Sequence, residues 1–284
     1  MGLLSAGILE PYQFEFFRNG VVVATLAGAL CGVLGVFVVL RGMSYIGHGL
    51  SHAVFGGAAA SAVIGLNFFV GAGIWGITSG VLIGRIARRR IIGADAAIGV
   101  VTTASFAVGL ALLNRYGQAQ KSIEAVLFGS VLGVRTSDIV AVSVVFLLVL
   151  LIVGMWYRTF LFATFDPEVA DVTGVSVQRV EAALMIMLSL TILVTMRVIG
   201  TLLISAMLVL PASIARMFTN SFARMLWIAP AVGAASAFVG MNLSYFLDTS
   251  SSATIILVSA AVFVVAYAVT GFRGRARIGS LHHV

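Results

Sequence analysis

Two histidines, His48 and His52, stand four positions apart in RGMSYIGHGLSHAVFGGA, residues 41–58. The other two, His282 and His283, fall in a basic C-terminal tail. On a helix, residues i and i+4 share one face, so both imidazoles can approach one ion. Imidazole suits Zn, Mn, Fe, Cu and Ni better than Mg or Ca. Two nitrogens leave a tetrahedral site incomplete, so water or a second subunit must add the remaining ligands. The competing use of such a pair is structural, as hydrogen-bonded groups at a membrane interface. The H-E-x-x-H pattern of zinc peptidases is missing because Gly49 follows His48, and no carboxylate lies nearby in sequence as a general base. That argues against an intramembrane metallopeptidase.

Few other ionisable groups interrupt the apolar segments, where each is costly unless paired or solvated. Asp95 follows the basic run RIARRRIIGA and opens an apolar segment. It reads as an N-terminal cap or dipole carboxylate, with a place in a transport pathway as the sharper alternative. Asp248, in LDTSSSATIIL, reads as a cap for the last helix or as a metal ligand at the outer mouth. Arg41 reads as a topology-setting charge, and Arg179 and Glu181 as anchors at an interface. The single lysine, Lys121, belongs to no G-x-x-x-x-G-K-[ST] stretch, so the chain has no P-loop for ATP. A lone Cys31 in an apolar run supports neither a disulfide nor a cysteine-rich metal site.

The elements that must position these groups are membrane helices. Of 284 residues, 61% are hydrophobic and 10% charged, against about 25% charged in soluble domains. Mean hydropathy is +1.13. Apolar runs near the ~20 residues needed to cross about 30 Å of hydrocarbon recur along the chain. The alternating segments of a β-barrel are absent. The expected fold is an all-α polytopic membrane protein of eight or nine transmembrane helices, one domain over residues 1–284. Nine segments can be marked, at 17–40, 48–66, 68–87, 96–114, 139–158, 180–198, 200–217, 224–247 and 252–271. The break at Arg197 and Gly200 is soft, which leaves open a broken or re-entrant helix and an eight-span count. The first 16 residues lack a basic n-region and a cleavage site, so no removable signal peptide is read.

The net charge of +7 is scattered between apolar runs rather than clustered with aromatics, which excludes nucleic acid as the partner. Lys and Arg bias instead sets orientation. With the N-terminus outside and nine spans, twelve of the seventeen basic residues lie inside, and the C-terminus is cytoplasmic. The long segment at 115–137 then lies outside. The segment YRTFLFATFDPEVADVTGVSVQRVEA lies inside. Within it Asp166 suits an N-cap, Pro167 the first helical position and Gly174 the stop, which predicts a helix of about two turns. Small-xxx-small pairs such as Gly28–Gly32 and Gly56–Ala60 fit close helix packing.

Over nearly its whole length the chain resembles the membrane subunits of ABC-3 family metal importers, the permeases for manganese, zinc and iron. The likeness runs through VFVVLRGMSYIGHGLSHAVFGGAAA (36–60), GADAAIGVVTTASFAVGLALL (93–113) and VLFGSVLGVRTSDI (126–139). It continues through FDPEVADVTGVSV (165–177), VIGTLLISAMLVLPASIARM (198–217) and LSYFLDTSSSATIILV (243–258). The resemblance implies a type II-like importer permease in the bacterial cytoplasmic membrane. It implies two permease copies forming the pathway, two cytoplasmic ATPases that hold ATP and Mg, and an external metal-binding protein. This chain would then be no enzyme and would bind no cofactor besides the transported ion. The short helix becomes a coupling helix, with Phe165, Asp166, Pro167, Glu168, Val169, Ala170, Asp171 and Gly174 in the ATPase contact. The family's metal pair usually reads G-D-x-x-x-H, so His52 matches the histidine and His48 replaces the aspartate. At the outer turn Ser250 and Ser252 replace a common Pro and Gly, which weakens the assignment of Asp248. The rival functions are a permease for a chelated metal, such as a siderophore or cobalamin, and a stand-alone secondary metal transporter.

Overall fold

The computed structural model describes residue 7 and residues 10–88, 92–116 and 133–279. Most of the 115–137 segment therefore lies outside the described residues, as do His282 and His283. Among these residues ten helices follow a short 3-10 turn at Glu10–Gln13. They are α1 Glu15–Leu40, α2 Ile46–Ile64, α3 Phe68–Arg88, α4 Ala94–Tyr116, α5 Thr136–Met155, α6 Tyr157–Phe165, α7 Pro167–Val172, α8 Val177–Phe218, α9 Phe222–Phe246 and α10 Ser251–Gly279. Among the described residues every regular element is helical. That follows from the apolar composition, because a helix satisfies its own backbone where no water can.

The core is built around α1, whose most apolar stretch is 83% buried, against 17% in α5 and 22% in α10. Its glycines let neighbouring backbones come within reach. A Cβ on Gly28 would strike the Gly233 carbonyl of α9, and one on Gly233 the Gly28 carbonyl. One on Gly32 would lie 2.6 Å from the Ala229 oxygen. The small-residue spacing thus serves packing, as expected.

Among the described residues seven helical stretches are long and apolar enough to cross a membrane: α1, most of α3, α4, α5, the Val177–Met196 half of α8, α9 and the Ser251–Thr270 part of α10. The second half of α8, Leu203–Phe218, is a shorter apolar helix. Gly200 has φ 76° and ψ 157°, outside the helical region. As one straight rod, 42 residues would extend ~63 Å. Instead both ends of α8 lie beside the same end of α1. Glu181 approaches Arg41 at 4.0 Å, while Phe222, just past the other end, meets Phe37 edge to face at 5.5 Å. The chain doubles back at Gly200, the position where the sequence marks a soft break.

Two features differ from expectation. The segment expected to span at 48–66 forms α2, yet α2 is not among the seven, because two histidines and many Gly, Ala and Ser residues dilute its hydropathy. The fifth segment, expected to run to 158, stops at Met155, and Trp156 breaks it with φ −105° and ψ 25°. A further short helix, α6, then packs Phe160 against Phe37 at 5.2 Å.

Candidate metal centre

The turn between α1 and α2 places the histidines. Gly42 takes φ +66°, the Met43 N–H donates to the Val38 carbonyl at 2.9 Å, and the Ile46 N–H donates to the Met43 carbonyl at 2.9 Å. These bonds close α1 and start α2, which puts His48 in its first turn and His52 in its second. The two Nε2 atoms face each other at 3.2 Å, with the rings edge to face at 4.5 Å. Without an ion, one imidazole N–H donates to the other's lone pair. An ion held by both at Zn–N lengths of about 2.0–2.1 Å would subtend an angle of about 100°, close to tetrahedral. Binding must therefore drive the shared proton to an Nδ1 atom or out of the site. His52 Nδ1 is buried without a hydrogen-bond partner.

Both histidines open on a cavity of about 370 Å³ that Asp95, Thr102, Thr103 and Phe106 also line. Asp95 sits in the first turn of α4. Gly49 brings α4 to α2, since a Cβ there would meet Ile98 Cγ2 at 2.5 Å and Thr102 Cγ2 at 2.7 Å. The Phe106 ring lies 5.0 Å from His52. Among the described residues no three His, Cys, Asp or Glu side chains converge closely enough to hold an ion together. The cavity thus presents, among the described residues, two candidate nitrogen ligands and one carboxylate.

The short helix forms where its caps predict. The Val169 N–H donates to Asp166 Oδ1 at 3.0 Å, Pro167 is the first helical residue, and Gly174 takes φ +83°. The Val175 N–H donates to the Ala170 carbonyl at 2.9 Å, closing the end. The helix runs Pro167–Val172, shorter than two turns, because Thr173 already caps it. Ala170 is buried, while Phe165, Val169 and Val172 are 54%, 47% and 89% exposed.

Residues 13–270 match the ABC 3 transport family. The chain belongs to that family. It is 36% identical over 255 residues to the manganese transport system membrane protein MntC of Listeria innocua, covering 90% of this chain and 91% of that protein. It is 37% identical over 268 residues to a Haemophilus influenzae protein described as a probable iron transport system membrane protein, covering 94% and 98%. The structure of PsaBC from Streptococcus pneumoniae in complex with Fab superimposes with TM-score 0.82 at 31% identity, covering 92% of this chain and 95% of that one.

In this ABC 3 permease Asp248 lies far from the histidines. It occupies the turn between α9 and α10 with φ 49°, near Tyr245, which packs on Phe17 at the start of α1. His48 follows the other end of α1, so the fold does not bring the three residues into one site. Ser252, in the first turn of α10, donates to the Ile199 carbonyl at 2.9 Å. That carbonyl directly precedes the non-helical Gly200. Sequence reasoning had no signal for this bond, which joins residues more than 50 positions apart.

Proposed function

We propose that this permease passes a divalent transition-metal ion, Mn²⁺, Zn²⁺ or Fe²⁺, into the cytoplasm, with His48 and His52 as transient ligands. The observation that carries the reading is the pair of Nε2 atoms facing each other at 3.2 Å over a cavity that Asp95 also lines. The manganese and iron transport names of its relatives support the same cargo. Two copies of the chain would line the pathway and complete the ligand set. Two ATPases would supply the work, an external metal-binding protein would deliver the ion, and Asp248 would stand at the outer mouth. The chain would reside in the bacterial cytoplasmic membrane with its C-terminus inside.

His48 replaces a carboxylate of the family pattern by an imidazole, which shifts preference toward nitrogen-loving ions such as Zn²⁺ and away from Mn²⁺. Asp95 returns a negative charge to the same cavity. A site that must release its ion gains from incomplete coordination. At α7 and the end of α6, exposed Phe165, Val169 and Val172 beside Asp166, Glu168 and Asp171 fit an ATPase groove with an apolar floor and a basic rim. Pro167 and Gly174 fix the ends of that helix, and Ala170 seats it on the bundle.

ATP-driven uptake of Mn²⁺, Zn²⁺ and Fe²⁺ into proteoliposomes holding the permease, its ATPase and its binding protein tests this. His52→Ala should lower uptake more than about tenfold, the loss that even an outer-shell partner of a ligand costs. His48→Asp should keep uptake and move the Mn/Zn ratio toward Mn. Wild-type uptake and an unchanged ratio in both variants would remove the histidines from the pathway.

A further inference from the structure

One cationic side chain joins the proposed motor contact to the metal centre. Arg41 follows the last residue of α1, and its side chain is only 9% exposed. Its Nη2 donates to the Ala163 carbonyl at 3.2 Å, and its Nε donates to Thr164 Oγ1 at 3.3 Å. Its Nη1 stands 4.0 Å from Glu181 Oε1. Ala163 lies in the last turn of α6, where a carbonyl has no partner within its own helix. A guanidinium there satisfies that oxygen and opposes the negative end of the helix dipole. The Thr164 contact lies two residues before Asp166, the cap of α7. Glu181 lies in the second turn of α8.

The backbone carries Arg41 to the histidines with little slack. Four residues, 42–45, separate it from α2, and the bonds from Met43 to Val38 and from Ile46 to Met43 pin that turn. The short helix, in contrast, is loosely seated. Ala170 is its buried residue, and a cavity of about 650 Å³ lies beside it, lined by Arg41, Pro167, Glu168, Asp171 and Glu181 among others. A push on α7 thus has two firm routes into the bundle. One is the covalent run into α8, where the Val177 N–H donates to Asp171 Oδ1 at 3.4 Å. The other runs through α6 and Arg41 to the turn that begins α2.

We infer that Arg41 is a positioning residue for transport, tying α6 and α7 to the start of α2 so that displacement of the short helix reaches His48 and His52. The role needs the forked geometry of guanidinium, which can hold the Ala163 carbonyl, the Thr164 hydroxyl and Glu181 from one planar group. Lysine offers a point charge on a flexible stem and lacks that fixed fork. The inference rests on the importer reading above.

The test uses the whole complex in proteoliposomes and reads metal ions transported per ATP hydrolysed. Arg41→Ala, Arg41→Lys and Thr164→Val are compared with wild type. Zn²⁺ affinity of the permease is measured alongside by equilibrium dialysis. Arg41→Ala is expected to hold Zn²⁺ within about twofold of wild type and to keep hydrolysing ATP, while ions per ATP fall about tenfold, a typical coupling between sites. Arg41→Lys and Thr164→Val should fall in the same direction by a smaller factor. A purely structural role would lower affinity, hydrolysis and uptake together and leave the ratio alone. An unchanged ratio in Arg41→Lys and Thr164→Val overturns the inference even if Arg41→Ala does not fold. Absence of ATP-driven uptake in the wild-type complex overturns the importer reading and this inference with it.

Discussion

Proton and metal compete for the same lone pairs at His48 and His52. The 3.2 Å contact between their Nε2 atoms needs a proton in the gap when no ion is there, and an ion must displace it. Metal binding to nitrogen ligands releases protons wherever the ligand starts protonated, and affinity then falls as pH falls. Zn²⁺ affinity of the purified permease should therefore decline toward acid pH, and titration in two buffers of different ionisation enthalpy should show proton release growing over the range in which the imidazoles start protonated. Binding that ignores pH would place the ion on oxygen ligands instead. The pair was legible in the sequence because a four-residue spacing speaks directly about one helical face. Asp95 was open there between a cap and a pathway role, and its place beside the histidines was not legible, since α4 reaches the pocket through the close approach at Gly49, a property of two helices together.

A helix that carries polar ligands must be held by its neighbours rather than by lipid. α2 shows how. Ser51 and Ser61 return their hydroxyls to the Gly47 and Gly57 carbonyls at 2.7 and 2.8 Å, so neither presents an unpaired group. Gly56 meets the Ser105 carbonyl of α4, and Gly57 packs on Trp75 of α3. A methyl at Gly56 has nowhere to go but into backbone. Gly56→Ala should cost about 1–3 kcal/mol through overpacking and lower the thermal midpoint in nanodiscs. Gly154→Ala, in α5 with open space around it, should be neutral or slightly stabilising, since alanine is the better helix former by about 1 kcal/mol. Equal behaviour of the two variants would show that α2 and α4 are not packed this closely. The element order was largely readable from apolar runs, and the caps of α7 from Asp166, Pro167 and Gly174. The sequence was silent on α6, because its apolar residues continue the α5 run and only the backbone at Trp156 separates them. Gly200 gave a break without a direction. The reversal emerges only when Glu181 and Phe222 are both found at one end of α1.

At the scale of the whole molecule, the features proposed for motor contact and for metal binding sit toward one end of the bundle. Arg41, α7, the start of α8 and the first turns of α2 and α4 are there, while Asp248 and the Ser252–Ile199 bond lie at the other. Transport driven through α7, as proposed above, requires the Arg41 end to face the cytoplasm, where ATP is. The bias of arginines toward that end agrees, because positively charged loops are retained inside. The native chain offers a quiet background for a direct measurement, since its one cysteine, Cys31, is fully buried in α1. Ser250 is exposed on the α9–α10 turn and Ser176 on the turn before α8. In intact cells, a membrane-impermeant maleimide should label Ser250→Cys and spare Ser176→Cys. In inside-out vesicles the pattern should reverse. Labelling of Ser176→Cys from outside would turn the molecule over, leaving α7 and Arg41 away from any ATPase. An importer of this build would then have no means of being driven, however well its histidines hold an ion.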